Sequence, residues 1–386
     1  MRSWYLIVLA AGTFTLGMDA FVLTGLLPQI AHDLSVPVAV AGQLTTIFAA
    51  TYAIGSPVIA TLTGRWDRRI LLGGGLVVFL LGMAGQALGP TFAVVAVGRI
   101  LAALGAAAFQ ANAYAMAGVL AAPERRGRTL AAVTAGASIS TVVGVPFGVI
   151  VGQAIGWRGA MWSIVALALI TAVFIPALPK AHIPPTSMRT RLGVLARPQV
   201  LAVLAATAIV LLPVYLLISY LPLVIGGGST AGLLVVFALL AVGVGQVAGN
   251  RLVGRLIDRR GAVPTLLAGS LGVTAASAVL ILFQLWYPAT LLAVGLIGLF
   301  SGLTITPQQH RFFSLTPDVA TIALGLNGSA IYVGSGLGAA LGGIVVATGG
   351  GFWLPVASAI LAALGTLVIW AIAPERPRRK RVPRAV

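Results

Sequence analysis

Two charged residues of opposite sign, Asp19 and Arg99, lie inside long apolar stretches of the sequence. A charged side chain at the centre of a membrane costs about 2.5–3.5 kcal/mol on insertion scales, so such residues mark functional sites by default. At a helical rise of about 1.5 Å per residue, both lie roughly 10–12 Å from the same end of their stretches, which lets them meet. A buried carboxyl group beside an arginine can bind and release a proton. We predict that Asp19 carries protons with Arg99 as its partner; the alternative is a static structural pair.

The composition excludes most other chemistry. Of the 386 residues, 59% are hydrophobic and 8% are charged, whereas a soluble domain has about 25% charged residues. The chain has no cysteine and 3 histidines, so we predict no catalytic residues, no metal site and no cofactor. The lysines are Lys180 and Lys380, and neither lies in the Gly-x-x-x-x-Gly-Lys loop of an ATP-driven pump. The sequence therefore predicts a membrane protein that is not an enzyme.

Twelve apolar segments are long enough to cross a membrane as helices, which takes about 20 residues each. They use nearly the whole chain, so the predicted fold class is an all-α membrane protein with twelve transmembrane helices. The predicted spans are 5–27, 38–62, 70–89, 92–118, 129–154, 159–178, 200–222, 231–252, 263–284, 288–307, 319–347 and 352–373.

The basic residues agree with this number of spans. The chain has 24 Lys and Arg residues against 7 Asp and Glu residues. With twelve spans, every basic residue except Arg99 and Arg158 falls on the side that holds both termini. Because Lys and Arg are enriched on the cytoplasmic side of membrane proteins, both termini are predicted to be cytoplasmic. The charge of the tail 375–386 is then a topology signal near anionic lipid, and we expect no nucleic-acid partner.

The sequence repeats itself at about half its length. The turn 64–69 after span 2 reads GRWDRR, and the turn 254–261 after span 8 reads GRLIDRRG. Paired six-span halves with a binding site between them are a known transporter plan. We predict an N-terminal six-helix bundle, a cytoplasmic linker, a C-terminal six-helix bundle and a basic cytoplasmic tail, at 1–179, 180–199, 200–374 and 375–386.

Span 5 carries a ridge of small residues at every fourth position, and span 11 carries a similar one. Small residues on one helix face let a second helix approach closely in a membrane, and a proline in the same stretch can kink the helix. The ridge predicts either tight packing alone or a contact between the halves that opens and closes. The ridge in span 5 includes Gly136, Gly144, Gly148 and Gly152, and the proline in the same stretch is Pro146.

These features resemble the major facilitator superfamily, and within it the twelve-span drug:proton antiporters related to chloramphenicol, purine and sugar efflux proteins. The stretch 19–31 resembles the first-span signature of the family. The turn 64–69 resembles its Gly-x-x-x-Asp-Arg-x-Gly-Arg-Arg motif, although the aspartate is displaced and the loop glycine is missing. The turn 254–261 is the better match. The stretch 136–148 resembles the antiporter motif, with Val145 interrupting its Gly-Pro pair.

The resemblance implies two pseudo-symmetric bundles with spans 1, 4, 7 and 10 around a central cavity. It places Asp19 and Arg99 in that cavity. It also implies an intracellular latch at the two matching turns, where a carboxylate pairs with basic groups and with helix N-termini, which favour anions. We favour the second turn because it matches better. The latch candidates are Asp67, Arg68, Asp258 and Arg259.

Polar residues scattered through the apolar spans are candidates for lining the cavity. Each is also a candidate for a hydrogen bond between helices, and that alternative stays open. A mostly apolar cavity with scattered polar groups suits a neutral or amphipathic substrate, because a multivalent anion calls for several buried basic residues. The candidates are Gln43, Tyr52, Gln110, Asn112, Tyr114, Tyr215, Ser219, Tyr220, Gln246, Asn250 and Asn327.

The sequence thus favours a secondary active transporter that exports a small molecule in exchange for protons by alternating access. A proton-coupled importer on the same fold and a non-transporting membrane receptor are the alternatives. The expected partners are a small-molecule substrate, protons and the lipid bilayer. The expected setting is the bacterial inner membrane, with the protein acting as a monomer.

Overall fold

The computed structural model describes residues 3–121, 126–181, 187–226 and 231–372, and the regular structure in these ranges is helical. A π-helical turn, Ser140–Gly144, joins α5 to α6. The α-helices are α1 Ser3–Asp33, α2 Val38–Leu62, α3 Arg68–Leu88, α4 Phe92–Leu120, α5 Arg126–Ile139, α6 Val145–Phe174, α7 Met188–Leu195, α8 Pro198–Ile218, α9 Leu221–Ile225, α10 Ala231–Arg260, α11 Ala262–Phe283, α12 Tyr287–Gly302, α13 Ile305–Leu315, α14 Ala320–Gly349 and α15 Leu354–Ile372.

Within the described residues, 11 helical segments are long and apolar enough to cross a membrane. One of them, Arg128–Ala177, has 50 residues, which is about twice the length that a single crossing needs. Its backbone leaves the helical region at Ile155 and Gly156. Gly156 has a φ of +81°, a conformation that favours glycine because a Cβ would be strained there. Counting this segment as two crossings gives twelve spans, which confirms the predicted all-α membrane fold.

Two of the predicted spans are interrupted by prolines. Span 7 consists of α8 and the short helix α9. The helix is interrupted between them because Pro222 cannot donate a hydrogen bond to the carbonyl of Ile218. Span 10 is likewise divided into α12 and α13, where Pro307 lacks a donor for Leu303. Because α13 continues beyond the predicted end of span 10, Arg311 lies within a helix and is 3% exposed, instead of lying in a loop as expected.

The predicted linker 180–199 is partly helical. The Ser187 hydroxyl accepts a hydrogen bond from the Thr190 amide at 3.1 Å and so caps α7. This short helix packs against α2, α8 and α14. It therefore contacts both halves of the chain. Residues 182–186 of the linker, and the predicted tail 375–386, lie outside the described residues.

The helices pack mainly within two groups, α1–α6 and α8–α15. Between the groups, α2 packs along α14, and α6 packs against α10. We call the side where α1 begins the arginine-rich face, and the side where α1 ends the arginine-poor face. These two inter-group contacts position the site described below.

The two groups meet closely near the arginine-poor face. The Tyr220 hydroxyl donates to the carbonyl of Ala39 in α2 at 3.4 Å and to that of Ala339 in α14 at 3.2 Å. At the other interface, a methyl group added to Gly232 of α10 would overlap the Gln153 amide of α6. Towards the arginine-rich face, α5 packs against α1 and α4, and α13 packs against α8 and α11, each within its own group. The structure is therefore closed at the arginine-poor face.

Candidate functional site

Asp19 of α1 and Arg99 of α4 form an ion pair inside the N-terminal half. The Arg99 Nη1 donates to the Asp19 Oδ1 at 2.7 Å, and both side chains are 0% exposed. The Arg99 Nε also donates to the carbonyl of Leu44 in α2 at 3.4 Å. The equal depths inferred from the sequence thus correspond to a direct contact between the two side chains.

The ion pair does not use all of its hydrogen-bonding groups. In the part of the chain that the structure describes, the Asp19 Oδ2 and the Arg99 Nη2 are buried and have no hydrogen-bond partner. Two charges removed from water are stabilised poorly unless further hydrogen bonds satisfy their remaining atoms. A carboxylate oxygen can accept a proton as well as a hydrogen bond. The pair therefore has a site where a proton can bind.

Close helix packing surrounds Asp19 on α1. A methyl group added to Gly12 would overlap the Phe109 ring of α4, and one added to Gly17 would overlap the Ser140 hydroxyl of the π-helical turn. Glycine at these positions therefore allows close approach of α1 to its neighbours. The close packing explains how an aspartate in a mostly apolar helix becomes fully buried.

An aromatic cluster lies beside the ion pair and joins the two halves. The Arg99 guanidinium carbon lies 4.4 Å from the centre of the Phe48 ring, within the range of a cation–π contact. Phe48 and Tyr52 of α2 contact Tyr332 of α14, whose ring centre is 3.8 Å from that of Tyr52. The Tyr52 hydroxyl donates to the Gln110 Oε1 at 3.0 Å. Tyr52 and Gln110 were candidates on sequence grounds, whereas Phe48 and Tyr332 were not, because aromatic residues are common in helix packing.

A cavity lies between the halves near the middle of the spans. Of the predicted cavity residues, Tyr215 and Gln246 line this cavity. Among the described residues that line this cavity none is charged. The lining also includes Phe21, Thr141 and Ser301, which sequence reasoning missed because hydroxyl and aromatic side chains are common in helix packing.

Several other cavity candidates tie helices together or pack within one half. The Asn327 Oδ1 accepts from the Thr207 hydroxyl at 2.8 Å between α14 and α8, and the Gln43 amide donates to the carbonyl of Ala39 at 3.3 Å. Ser219 is buried at the break between α8 and α9. Tyr220 bridges α2 and α14, and Tyr114 packs on the core of the N-terminal half. Asn112 accepts a hydrogen bond from Arg68, and Asn250 is exposed.

The two latch turns differ in structure. The Asp67 Oδ1 accepts from the backbone amides of Arg69 at 3.0 Å and Ala181 at 3.1 Å, so it caps α3 and binds the segment after α6. The Arg68 guanidinium donates to the Asn112 Oδ1 and to the Gly64 carbonyl, both at 3.1 Å. By contrast, Asp258 and Arg259 are exposed in the last turn of α10. The first turn therefore has the richer contacts, although the second matches the motif better.

The glycine ridge of span 5 faces α1 within the same half. Methyl groups added to Gly136, Gly148 and Gly152 would overlap Ala10, Val22 and Leu26 of α1, and Gly144 faces Phe14. Pro146 is buried just after the π-helical turn, which interrupts the regular helix before the proline. The ridge therefore packs helices within the N-terminal half. Among the described residues, it does not form the contact between the halves that was the alternative interpretation of this pattern. The span-11 ridge, Gly334, Gly338 and Gly342, likewise faces α8.

We expect replacement of Gly338 by Ala to destabilise the C-terminal half. The new Cβ would lie 2.8 Å from the Leu216 amide nitrogen, so two backbones would have to separate, and overpacking of this kind costs about 1–3 kcal/mol. Gly328→Ala on the same helix is the matched control, because nothing lies within 4 Å of its Cβ. Thermal unfolding in detergent should show a lower midpoint for Gly338→Ala and an unchanged or higher one for Gly328→Ala. Equal midpoints would contradict this packing.

A second charged cluster lies at the arginine-poor face. Asp33 at the end of α1 pairs with Arg158 and accepts a hydrogen bond from the Trp157 Nε1 at 2.9 Å. The Arg158 guanidinium also donates to the Gly89 carbonyl at 2.9 Å and stacks on the Trp157 ring. These contacts join the ends of α1 and α3 to the bend in α6, so the cluster stabilises the N-terminal half.

Comparison with known proteins identifies the family. The family model described as Major Facilitator Superfamily matches residues 9–326 and 241–386. A chloramphenicol resistance protein of Streptomyces lividans is 35% identical over 276 residues, which cover 69% of this chain and 70% of that protein. The inner membrane transport protein YdhP of Escherichia coli strain K12 is 30% identical over 387 residues, with 97% of each chain covered.

Solved structures share the fold. The xylose transporter XylE from Escherichia coli, in a partially occluded inward open conformation, superposes with a TM-score of 0.77 at 15% sequence identity. The superposition covers 96% of this chain and 99% of that one. The described helices, the family match and the relatives agree with the predicted fold and with a transporter instead of an enzyme. This chain belongs to the major facilitator superfamily and is a multi-pass membrane transporter of small molecules.

Proposed function

We propose that the chain exports a small neutral or amphipathic molecule in exchange for protons, by alternating access between its two halves. The observation that carries this proposal is the fully buried pair of Asp19 and Arg99. Its carboxylate keeps one oxygen without a hydrogen-bond partner in the described structure, and it lies beside the contact between the halves. A group placed in this way can link proton binding to the relative position of the halves.

The proposed substrate class follows from the central cavity. The described residues that line it are uncharged, and its polar groups include the Tyr215 hydroxyl, the Gln246 amide and the Ser301 hydroxyl. An ionised substrate would lose its hydration there without a compensating charge from this lining. The chemistry of this lining therefore favours an uncharged molecule with a few hydrogen-bonding groups.

The direction of transport is supported by two observations. One relative is named a chloramphenicol resistance protein, and resistance to an antibiotic is consistent with its export. The ridge of span 5 also resembles the antiporter motif, with Gly144, Pro146 and Gly148 in it. Import of a metabolite together with protons is the alternative that the experiment must separate.

The proposed orientation places the arginine-rich face in the cytoplasm of a bacterial cell, with both termini there, in accord with the positive-inside rule. Residues 1–179 and 200–374 are the two proposed moving units, within one monomer in the inner membrane. The described structure is closed at the arginine-poor face, so it corresponds to a state that faces the cytoplasm. The proposed latch at the arginine-rich face would then form when that face closes; its residues are Asp67, Arg68, Asp258 and Arg259.

Accumulation of uncharged compounds in intact cells tests this proposal. A bacterial host without its own efflux pumps would express the chain and receive a panel of uncharged antibiotics and metabolites, with radiolabelled chloramphenicol first. We expect at least one compound to accumulate less in expressing cells and to return to the control level when a protonophore collapses the proton gradient. Greater accumulation in expressing cells would indicate an importer. Binding of panel compounds to the purified protein without any flux would contradict the proposed export of uncharged molecules.

A further inference from the structure

One residue of the C-terminal half reaches the charge pair of the N-terminal half through aromatic contacts. Tyr332 of α14 stacks on Tyr52 with ring centres 3.8 Å apart and an interplanar angle of 28°. Its ring centre also lies 6.1 Å from that of Phe48. Both partners belong to α2, so this aromatic cluster of Phe48, Tyr52 and Tyr332 lies across the interface between the halves.

The aromatic cluster contacts Arg99 directly. The Arg99 guanidinium lies 2.7 Å from the Asp19 carboxylate, and its carbon lies 4.4 Å from the centre of the Phe48 ring. Tyr332 also lies close enough to Asp19 and Arg99 for their charges to act on its hydroxyl group. In the described part of the chain, Arg99 of α4 and Tyr332 of α14 are the charged or titratable groups that interact with Asp19. Two side-chain contacts, Asp19 with Arg99 and Arg99 with Phe48, therefore connect the carboxylate to the interface between the halves.

We propose that Tyr332 is the positioning residue that couples the protonation of Asp19 to the relative position of the two halves. This inference rests on the proposed function, since it takes Asp19 as the proton carrier. While Asp19 is ionised, it fixes Arg99 in the position where the guanidinium lies over Phe48. When Asp19 gains a proton, the ion pair is lost, and the guanidinium is free to move relative to the Phe48 ring. Phe48 then repacks against Tyr332, which shifts the packing of α2 on α14.

A second ring contact between the halves provides a contrast. Phe21 of α1 stacks on Tyr215 of α8 with ring centres 5.9 Å apart. The cation–π contact of Arg99 is made with Phe48 and not with either of these two rings. Both rings line the central cavity, so a substitution there would disturb substrate binding. A substitution at Tyr332 therefore tests the coupling between Asp19 and the two halves with less effect on substrate binding than a substitution at Phe21 or Tyr215.

The test measures the distance between the halves as a function of pH, without any substrate. Because the chain has no cysteine, the substitutions Leu62→Cys and Phe313→Cys introduce the only two sites for spin labels. Both residues are exposed, at 75% and 58%, and they lie on α2 and α13 in opposite halves. Pulsed electron paramagnetic resonance would compare the distance distributions at about pH 5.5 and pH 8 in the labelled parent and in variants.

We expect the parent distribution to shift between the two pH values and Asp19→Asn to lose that shift. Tyr332→Leu should lose the shift as well, although it keeps the ion pair. Tyr332→Phe should retain the shift because it keeps the ring contacts. Tyr287→Leu is the matched control, since the hydroxyl of Tyr287 donates to the carbonyl of Leu234 within one half. The distance distribution of this control should shift between the two pH values as that of the parent does. A thermal midpoint near that of the parent shows that Tyr332→Leu is folded.

The outcomes separate the two proposals. If the parent and Tyr332→Leu shift equally while Asp19→Asn does not, the role of Tyr332 is wrong and that of Asp19 stands. If Asp19→Asn shifts as the parent does, or if the parent does not shift, the proton-carrier proposal fails and the inference fails with it. If Tyr332→Phe loses the shift together with Tyr332→Leu, the ring contact is not the coupling element, and the inference is overturned.

Discussion

Replacement of Asp19 by Asn is expected to abolish proton-driven accumulation of the substrate and to leave the protein folded, although less stable, because the buried Arg99 then lacks its counter-charge. Exchange of one proton for an uncharged molecule across 100 mV and one pH unit supplies about 3.7 kcal/mol, which corresponds to a concentration ratio of about 500. Asparagine has nearly the same shape and can still accept a hydrogen bond from Arg99, but it cannot bind and release a proton. The ratio in proteoliposomes should therefore fall from about 500 to about one.

A matched replacement at the surface serves as the control for Asp19→Asn. Asp318 is 60% exposed and pairs with Arg197 at 2.6 Å. The hydrogen bond from Arg197 holds the pKa of the Asp318 carboxyl below its usual value, so this pair stabilises the fold at neutral pH and loses its effect only as the pH falls into the acidic range. Asp318→Asn should therefore accumulate substrate as the parent does between about pH 6 and 8. Full accumulation by Asp19→Asn would contradict the proposed role of Asp19.

Removal of Arg99 alone is expected to destabilise the protein strongly. Arg99→Met leaves the Asp19 carboxylate fully buried without its partner, and loss of one member of a buried ion pair costs about 3–5 kcal/mol. Replacing both members by residues of similar volume costs much less, because no uncompensated charge remains. The double variant Asp19→Asn with Arg99→Met should therefore recover most of the lost stability.

The stability of these variants can be followed by thermal unfolding in detergent with tryptophan fluorescence. Thermal midpoints for the parent, both single variants and the double variant complete a double-mutant cycle. A strong positive coupling is expected, since the two side chains touch. Additive effects of the two substitutions would show that the buried contact at 2.7 Å contributes no coupling energy to the fold.

The fold and the charge pair could be predicted because both depend on properties that are local in the sequence. A crossing helix requires a long apolar segment, and the basic residues mark which ends of the segments share a face. With the ends known, the fixed rise of a helix gives the depth of each residue. The sequence alone therefore predicts that Asp19 and Arg99 lie at the same depth.

The contacts between helices could not be predicted in the same way. The glycine ridge shows that Gly148 and Gly338 face another helix closely, but the ridge alone does not identify the partner. Phe48 and Tyr332 come together because α2 packs along α14, and that packing depends on how two distant helices are aligned. The latch turns likewise share a motif, but the motif does not show that the first turn contacts the segment after α6 through Asp67 and Arg69.

The sign of the proton movement during transport distinguishes exchange of protons for the compound from their movement together. Purified protein in liposomes with a pH-sensitive dye inside would receive, without an imposed pH gradient, an external pulse of the compound identified in the accumulation screen. Exchange predicts that protons leave as the compound enters, so the lumen becomes alkaline, and that Asp19→Asn shows no such change. Acidification of the lumen would show that protons and compound move together, and it would contradict the account of this protein as a proton-driven exporter.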